Sequence, residues 1–249
     1  MEKIKVGAVS YLNTKPLLYG INRSEGLQSS IRLIEDYPSK IAAMLAAGSI
    51  DVGLVPVAII PQLREWYIVS DYCIAAREEV ASVCMFSEVP VNKIKQVLLD
   101  YQSNTSVNLC RVLLKHYWKT DPLLTAASEG YIQAISGETA GVIIGDRALK
   151  QRGISKYTYD LGAAWKALTG RPFLFAAWIA NKKLPEDFIR QFNTANAEGL
   201  QKLEAVILEN PFPYYDLHRY YTQNIDYVLD SEKLESMHLF LSYLKNLAV

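Results

Sequence analysis

IRLIEDYPSKIAAMLAAGSIDVGLVP, residues 31–56, is the stretch that decides the fold. Its two ends, IRLIE and DVGLVP, are short runs of strand-forming residues. Between them PSKIAAMLAAGS places Ile41, Met44 and Leu45 at helical spacing, with Gly48 available as a stop. Strand, helix, strand predicts a βαβ unit and hence a largely parallel sheet with helices over its faces. Upstream, IKVGAVS from Ile4 adds a further strand to the same sheet.

Downstream the alternation repeats with different residues. KQVLLD from Lys95, a helical stretch from Ser106 to Trp118, and AGVIIGD from Ala140 predict a second sheet. ASVCMFS from Ala81 and PFLFAAWIA from Pro172 flank that block, too short for ordinary helices and rich in strand formers, and are read as paired crossovers between two lobes. PEDFIRQFNTANAEGLQKLEAVI sets Phe188, Phe192, Ala195, Gly199, Leu203 and Val206 on one helical stripe, and a last helix carries Leu234, Met237, Leu241 and Leu244. The expected organisation is an α/β protein with a discontinuous first lobe, residues 1–85 and 178–249, and a second lobe at 86–177. A length of 249 residues suits two lobes. One lobe, a crossover, a second lobe and a return match the type II periplasmic-binding-protein-like architecture, whose ligand cleft lies between the lobes.

Lys plus Arg and Asp plus Glu balance at 26 each, so no global field draws in nucleic acid or an anionic membrane surface. An anionic ligand must therefore be held by local groups. No run approaches the roughly 20 apolar residues of a membrane span, and MEKIKVGAVSYLN has no secretory h-region. Cys73, Cys84 and Cys110 are odd in number and lie in apolar contexts, as expected for reduced core thiols of a cytoplasmic protein.

SYLNTKPL, Ser10–Leu17, directly follows the first predicted strand. Ser10, Asn13 and Thr14 are suited to cap a helix, and Pro16 is tolerated in a first turn. The plain reading is a cap that binds nothing. The functional one is that free N–H groups at a helix start make a carboxylate site. DYQSNTSVNL, Asp100–Leu109, repeats the pattern with Ser103, Asn104, Thr105 and Ser106. Two such uncharged helix starts, one per lobe, can hold a dianion through hydrogen bonds and helix dipoles without a dedicated Arg. GDRAL from Gly145 brings Asp146 to a strand end, as a cap or a cleft residue, while Arg147 reads as a solvated helix residue and Trp165 as helix packing.

His116, His218 and His238 have no metal-ligand spacing, and no zinc signature, GxGxxG, Walker loop or GxSxG elbow is present. No metal and no cofactor are expected. The aromatic run YYDLHRYY around His218 lacks the basic clustering of a nucleic-acid surface and reads as packing.

Taken together, SYLNTKPL, AGSIDVGLVPVA from Ala47, the S-x-T-S cluster from Ser103, VIIGDRAL from Val142 and DLGAAW with TGRPFLFAAW from Asp160 to Trp178 resemble the chorismate dehydratases of the futalosine route to menaquinone. The resemblance runs through most of the chain. It implies conversion of chorismate to 3-[(1-carboxyvinyl)oxy]benzoate and water, with no cofactor; a monomer or a homodimer is expected. It also implies loss of the ring C3 proton and C4 hydroxyl, driven by aromatisation, with a substrate carboxylate able to act as base. Carried over residue by residue, Asn13 matches the catalytic asparagine and Ser82 a serine that touches the ligand. From the two polar helix starts and the strand end at Gly145, Ser10, Tyr11, Ser103, Asn104, Thr105, Ser106 and Asp146 are the remaining expected substrate contacts. Asn104 departs from the pattern, since relatives often carry Arg there, which puts a guanidinium contact at that point in doubt. Two other readings remain open: the 1,4-dihydroxy-6-naphthoate synthase of the same pathway, whose family relies on a His that the first 100 residues here lack, and a non-catalytic carboxylate-binding protein.

Overall fold

The computed structural model describes residues 3–247. β1 (Ile4–Val9) passes through a 3-10 turn (Leu12–Thr14) into α1 (Lys15–Arg23), followed by α2 (Glu25–Ser30), β2 (Ile31–Asp36), α3 (Pro38–Ala46) and β3 (Val52–Pro56). After a second 3-10 segment (Val57–Gln62) come β4 (Tyr67–Ala76), β5 (Val83–Ser87), β6 (Gln96–Leu99), α4 (Asn104–Leu113), β7 (Leu123–Ala126), β8 (Thr139–Ile144), α5 (Asp146–Gln151), β9 (Tyr157–Asp160) and α6 (Leu161–Thr169). The chain ends with β10 (Phe173–Ala180), α7 (Glu186–Leu200), α8 (Leu203–Glu209), α9 (Leu217–Arg219), a π-helical turn (Tyr220–Asn224), β11 (Asp226–Val228) and α10 (Ser231–Leu247).

Two sheets result. The first has the order β11-β4-β10-β3-β1-β2 and the second β7-β6-β8-β5-β9. The βαβ unit read from residues 31–56 is present, with β1 parallel to both β2 and β3. Neither sheet is largely parallel, however. β10 runs antiparallel between β3 and β4, and β5 antiparallel between β8 and β9. The two runs expected to pair as crossovers are thus interior strands of different sheets. Both are buried along their whole length, which explains their continuous apolar sequence. By sheet membership the chain leaves the first sheet after Ala76 and rejoins it at Phe173, so residues 85/86 and 177/178 fall inside β5 and β10. The outgoing crossover is the short segment of residues 77–82, and the return runs through α6.

The long C-terminal stripe is two helices, α7 and α8, and near the break Gly199 lies where a Cβ would stand 1.8 Å from the Pro16 carbonyl oxygen. Gly20 on α1 makes the reciprocal approach to Ala195, so α1 and α7 cross at backbone contact and the helix ends just beyond, at Leu200. Phe188, Phe192, Ala195 and Val206 are buried as the stripe requires. Trp165 is core, its indole N–H donating to Ser236 Oγ at 2.9 Å. All three cysteines are free and buried. Among the described residues, no helix is long and apolar enough to cross a membrane.

Candidate functional site

A cavity of ≈ 50 Å³ lies where the two sheets face each other, lined by residues of both. It lies at the carboxyl ends of parallel strands: Val9 ends β1, Pro56 ends β3 and Ile144 ends β8, and all three line it. Leu54, Ile74, Val80, Val83, Phe175 and Ala176 make the apolar wall. The polar side chains on the lining are Tyr11, Asn13, Thr14, Ser82, Ser103 and Ser106. Among the described residues, no Asp, Glu, His, Lys or Arg lines it.

The SYLN segment reaches the cavity by its turn and not by a side-chain cap. Neither the 3-10 turn nor α1 has a side-chain capping bond. Asn13 is held from two sides: Tyr227 O–H donates to its carbonyl at 2.8 Å and Thr14 Oγ1–H to its Oδ1 at 3.2 Å. Among the described residues its Nδ2 has no protein acceptor, and it is half-buried on the cavity lining. The second helix start is capped as its sequence suggests. Ser103 Oγ accepts from the Ser106 N–H at 3.2 Å and meets Ser106 Oγ at 3.0 Å. The first-turn N–H groups of Asn104 and Thr105 have no acceptor within the helix, as at every helix start.

Of the residues singled out in the sequence, Tyr11, Asn13, Ser82, Ser103 and Ser106 come together in one cavity. Ser10 does not join them; it is exposed, with its N–H on the Asp36 carbonyl at 3.2 Å. Asn104 is exposed. Thr105 is buried and its Oγ1 accepts from the Ala58 N–H at 3.0 Å, a bond from one lobe to the other. Asp146 also bridges the lobes, its Oδ1 accepting from the Leu12 N–H at 3.0 Å, and burial pushes its carboxyl above the usual range.

Arg147, expected in solvent, is instead half-buried. It donates to Asp100 Oδ2 and Gln102 Oε1, each at 2.7 Å, and the Asp100 carboxylate is fully buried. Tyr11 O–H donates to the same Gln102 oxygen. Burial raises the Tyr11 phenol above its ordinary value, which keeps it a neutral donor. The sequence also missed Thr14 as a lining residue, and Gly145. Gly145 has φ +64° and ψ −146°, a conformation essentially reserved for glycine, and a Cβ there would sit 2.8 Å from the Tyr11 ring. A glycine between a strand and a helix was the available signal. Its need became visible only with Tyr11 packed on it.

A family model described as menaquinone biosynthesis matches residues 4–246. The chain belongs to the menaquinone biosynthesis family. Two relatives bear the name chorismate dehydratase. That of Thermus thermophilus is 25% identical over 226 residues, covering 83% of this chain and 81% of its own. That of Campylobacter jejuni is 28% identical over 232 residues, covering 89% and 88%. Among solved structures, the periplasmic aliphatic sulphonate binding protein of Escherichia coli superposes with a TM-score of 0.64 at 14% identity, covering all of this chain and 94% of the other. At that identity the likeness shows the fold alone: this family member has the two-lobed architecture of periplasmic binding proteins. In this menaquinone biosynthesis protein, as in that fold, the cavity lies between the lobes.

Proposed function

We propose that this protein is a chorismate dehydratase, converting chorismate to 3-[(1-carboxyvinyl)oxy]benzoate and water. The observation that carries the reading is a cavity between the lobes with an apolar wall and a rim of uncharged hydrogen-bond donors. Such a rim suits a substrate that brings its own carboxylates. The names of the two relatives support the same conclusion.

In the reaction a base removes the C3 proton, the C3–H electron pair becomes the C3–C4 double bond, and the C4–O bond breaks. The departing hydroxide leaves as water with the abstracted proton. As the family resemblance implies, a substrate carboxylate held against the C3–H serves as the base, and the cavity lining offers no carboxylate or imidazole among the described residues. The protein's share is orientation and exclusion of bulk water. Asn13 Nδ2 donates either to the enolpyruvyl carboxylate or to the departing hydroxyl, Ser82 touches the ligand from the crossover, and Ser103 with Ser106 receives a carboxylate at the start of α4. No cofactor enters this scheme.

Incubating the pure protein with chorismate in the presence of a chelator, and following chorismate loss and benzoate formation by chromatography, tests the reading. One product molecule per chorismate consumed is expected. Chorismate that binds but is recovered unchanged would leave a binding protein, and the reading would fall.

A further inference from the structure

Tyr220 is fully buried, and its hydroxyl has no hydrogen-bond partner among the described residues. An unmade bond of this kind destabilises the fold, and buried hydroxyls are nearly always partnered. Phenylalanine would fill the same space without that cost. The hydroxyl therefore calls for an explanation outside the unliganded fold.

Its position supplies one. Tyr220 opens the π-helical turn of residues 220–224, a rare conformation that recurs at functional sites. That turn is tied to the crossover: Tyr215 O–H donates to Asn224 Oδ1 at 3.0 Å, and Asn224 Nδ2 donates to the Glu79 carbonyl at 3.1 Å. Three residues on is Ser82, which lines the cavity. The Ser82 hydroxyl is the neighbour that a hydrogen bond from Tyr220 would reach, although the two are not in bonding geometry here. Ser82 O–H instead points back to the Val80 carbonyl at 3.4 Å, long for a bond between two oxygens. Its backbone is fixed, with the Ser82 N–H on that same carbonyl at 2.7 Å and Ala81 between them at φ +62°. A fixed backbone with a weakly held hydroxyl leaves only the side-chain rotation to be decided.

We propose that Tyr220 is a positioning residue, whose hydroxyl donates to Ser82 Oγ when a ligand fills the cavity and so aims the Ser82 O–H at a ligand oxygen. The chain runs Tyr220 O–H to Ser82 Oγ–H to ligand, each hydroxyl accepting one bond and donating the next. Bonds in such a chain polarise and strengthen one another. Burial holds the Tyr220 phenol well above its ordinary value, so it stays protonated and able to donate. The inference rests on the proposed dehydratase reading, in which Ser82 touches the substrate.

A double-mutant cycle tests it, using wild type, Tyr220→Phe, Ser82→Ala and the double variant, with chorismate turnover, chorismate affinity by calorimetry and melting temperature measured on all four. Tyr220→Phe should keep or raise the melting temperature while lowering kcat/KM about tenfold or more. In the Ser82→Ala background the same substitution should have no further effect, because the hydroxyl acts through Ser82. Unchanged kcat/KM in Tyr220→Phe would make the hydroxyl a mere liability of the core. An equal fold-loss in both backgrounds would show that it acts without Ser82, and a fall of several degrees in melting temperature would show that it is bonded in the empty protein; either result overturns the proposal. A wild type that neither binds nor converts chorismate would bring down the dehydratase reading and this inference with it, whereas an active wild type beside an unaffected Tyr220→Phe sinks the inference alone.

Discussion

Asn13 shows how much one side chain depends on partners distant in sequence. Its carbonyl is held by Tyr227, more than two hundred residues away, and its Oδ1 by Thr14, so the amide nitrogen is what remains for the cavity. An amide has no useful basicity near neutral pH, and Asn13 therefore orients the substrate or stabilises developing charge. Asn13→Leu is expected to lower turnover by roughly 100-fold or more. It should also lower the melting temperature by a few degrees, because the buried Thr14 hydroxyl loses its acceptor on Asn13 Oδ1, a cost of about 1–3 kcal/mol. Turnover and melting temperature measured on one sample decide the matter: a less stable but fully active variant would remove Asn13 from the mechanism. At this scale the sequence revealed polar residues at a strand end, since residue type and local order suffice for that. Which of them turn inward it did not reveal. Ser10 and Asn104 face solvent, and Thr105 spends its oxygen on Ala58, because each orientation follows from a neighbour in the other part of the chain.

At the scale of elements, the crossover of residues 77–82 is shaped by one carboxylate. Asp160 caps α6 by accepting from the Gly162 and Ala163 N–H groups at 3.0 and 3.1 Å. The same side chain accepts from the Val80 N–H at 3.1 Å and the Ala81 N–H at 2.8 Å, and so fixes the turn that presents Ser82. Asp160→Asn would set an amide N–H against one of these donors and leave it unsatisfied in the interior. A loss of about 2–3 kcal/mol is expected, or roughly 5–10 °C in melting temperature for a chain of this size; a melting temperature within a degree of wild type would contradict it. The helix-start half of this role is local and can be read from DLGAAW. The half that clamps the crossover cannot, because Val80 and Asp160 meet only once β5 and β9 have paired. For the same reason β4, β7, β9 and β11 escaped the sequence reading: their residues alternate or are half-exposed, and their partners decide them.

Across the whole molecule the lobes are joined by Leu12 to Asp146, Tyr11 to Gln102, the Ser39 N–H to the Gln102 carbonyl at 2.9 Å and Ala58 to Thr105. One hydrophobic cluster runs through both sheets. A ligand bound between lobes stabilises the closed arrangement by mass action, so the benzoate product at 100 times its dissociation constant should add about 2.7 kcal/mol, or roughly 5–10 °C in melting temperature. Absence of any shift at concentrations that inhibit turnover would place the ligand elsewhere. The sequence by itself determined the α/β alternation, the two sheets, the two polar helix starts and the family resemblance, because periodicity, turn residues and short motifs are local properties. Only the tertiary structure decided that both sheets are mixed and that β5 and β10 are interior strands of them. It also decided that Arg147 serves the buried Asp100, and which hydroxyls reach the cavity. Each of those outcomes depends on pairing and packing between segments tens to hundreds of residues apart, for which a buried apolar run or a single arginine carries no address of its own.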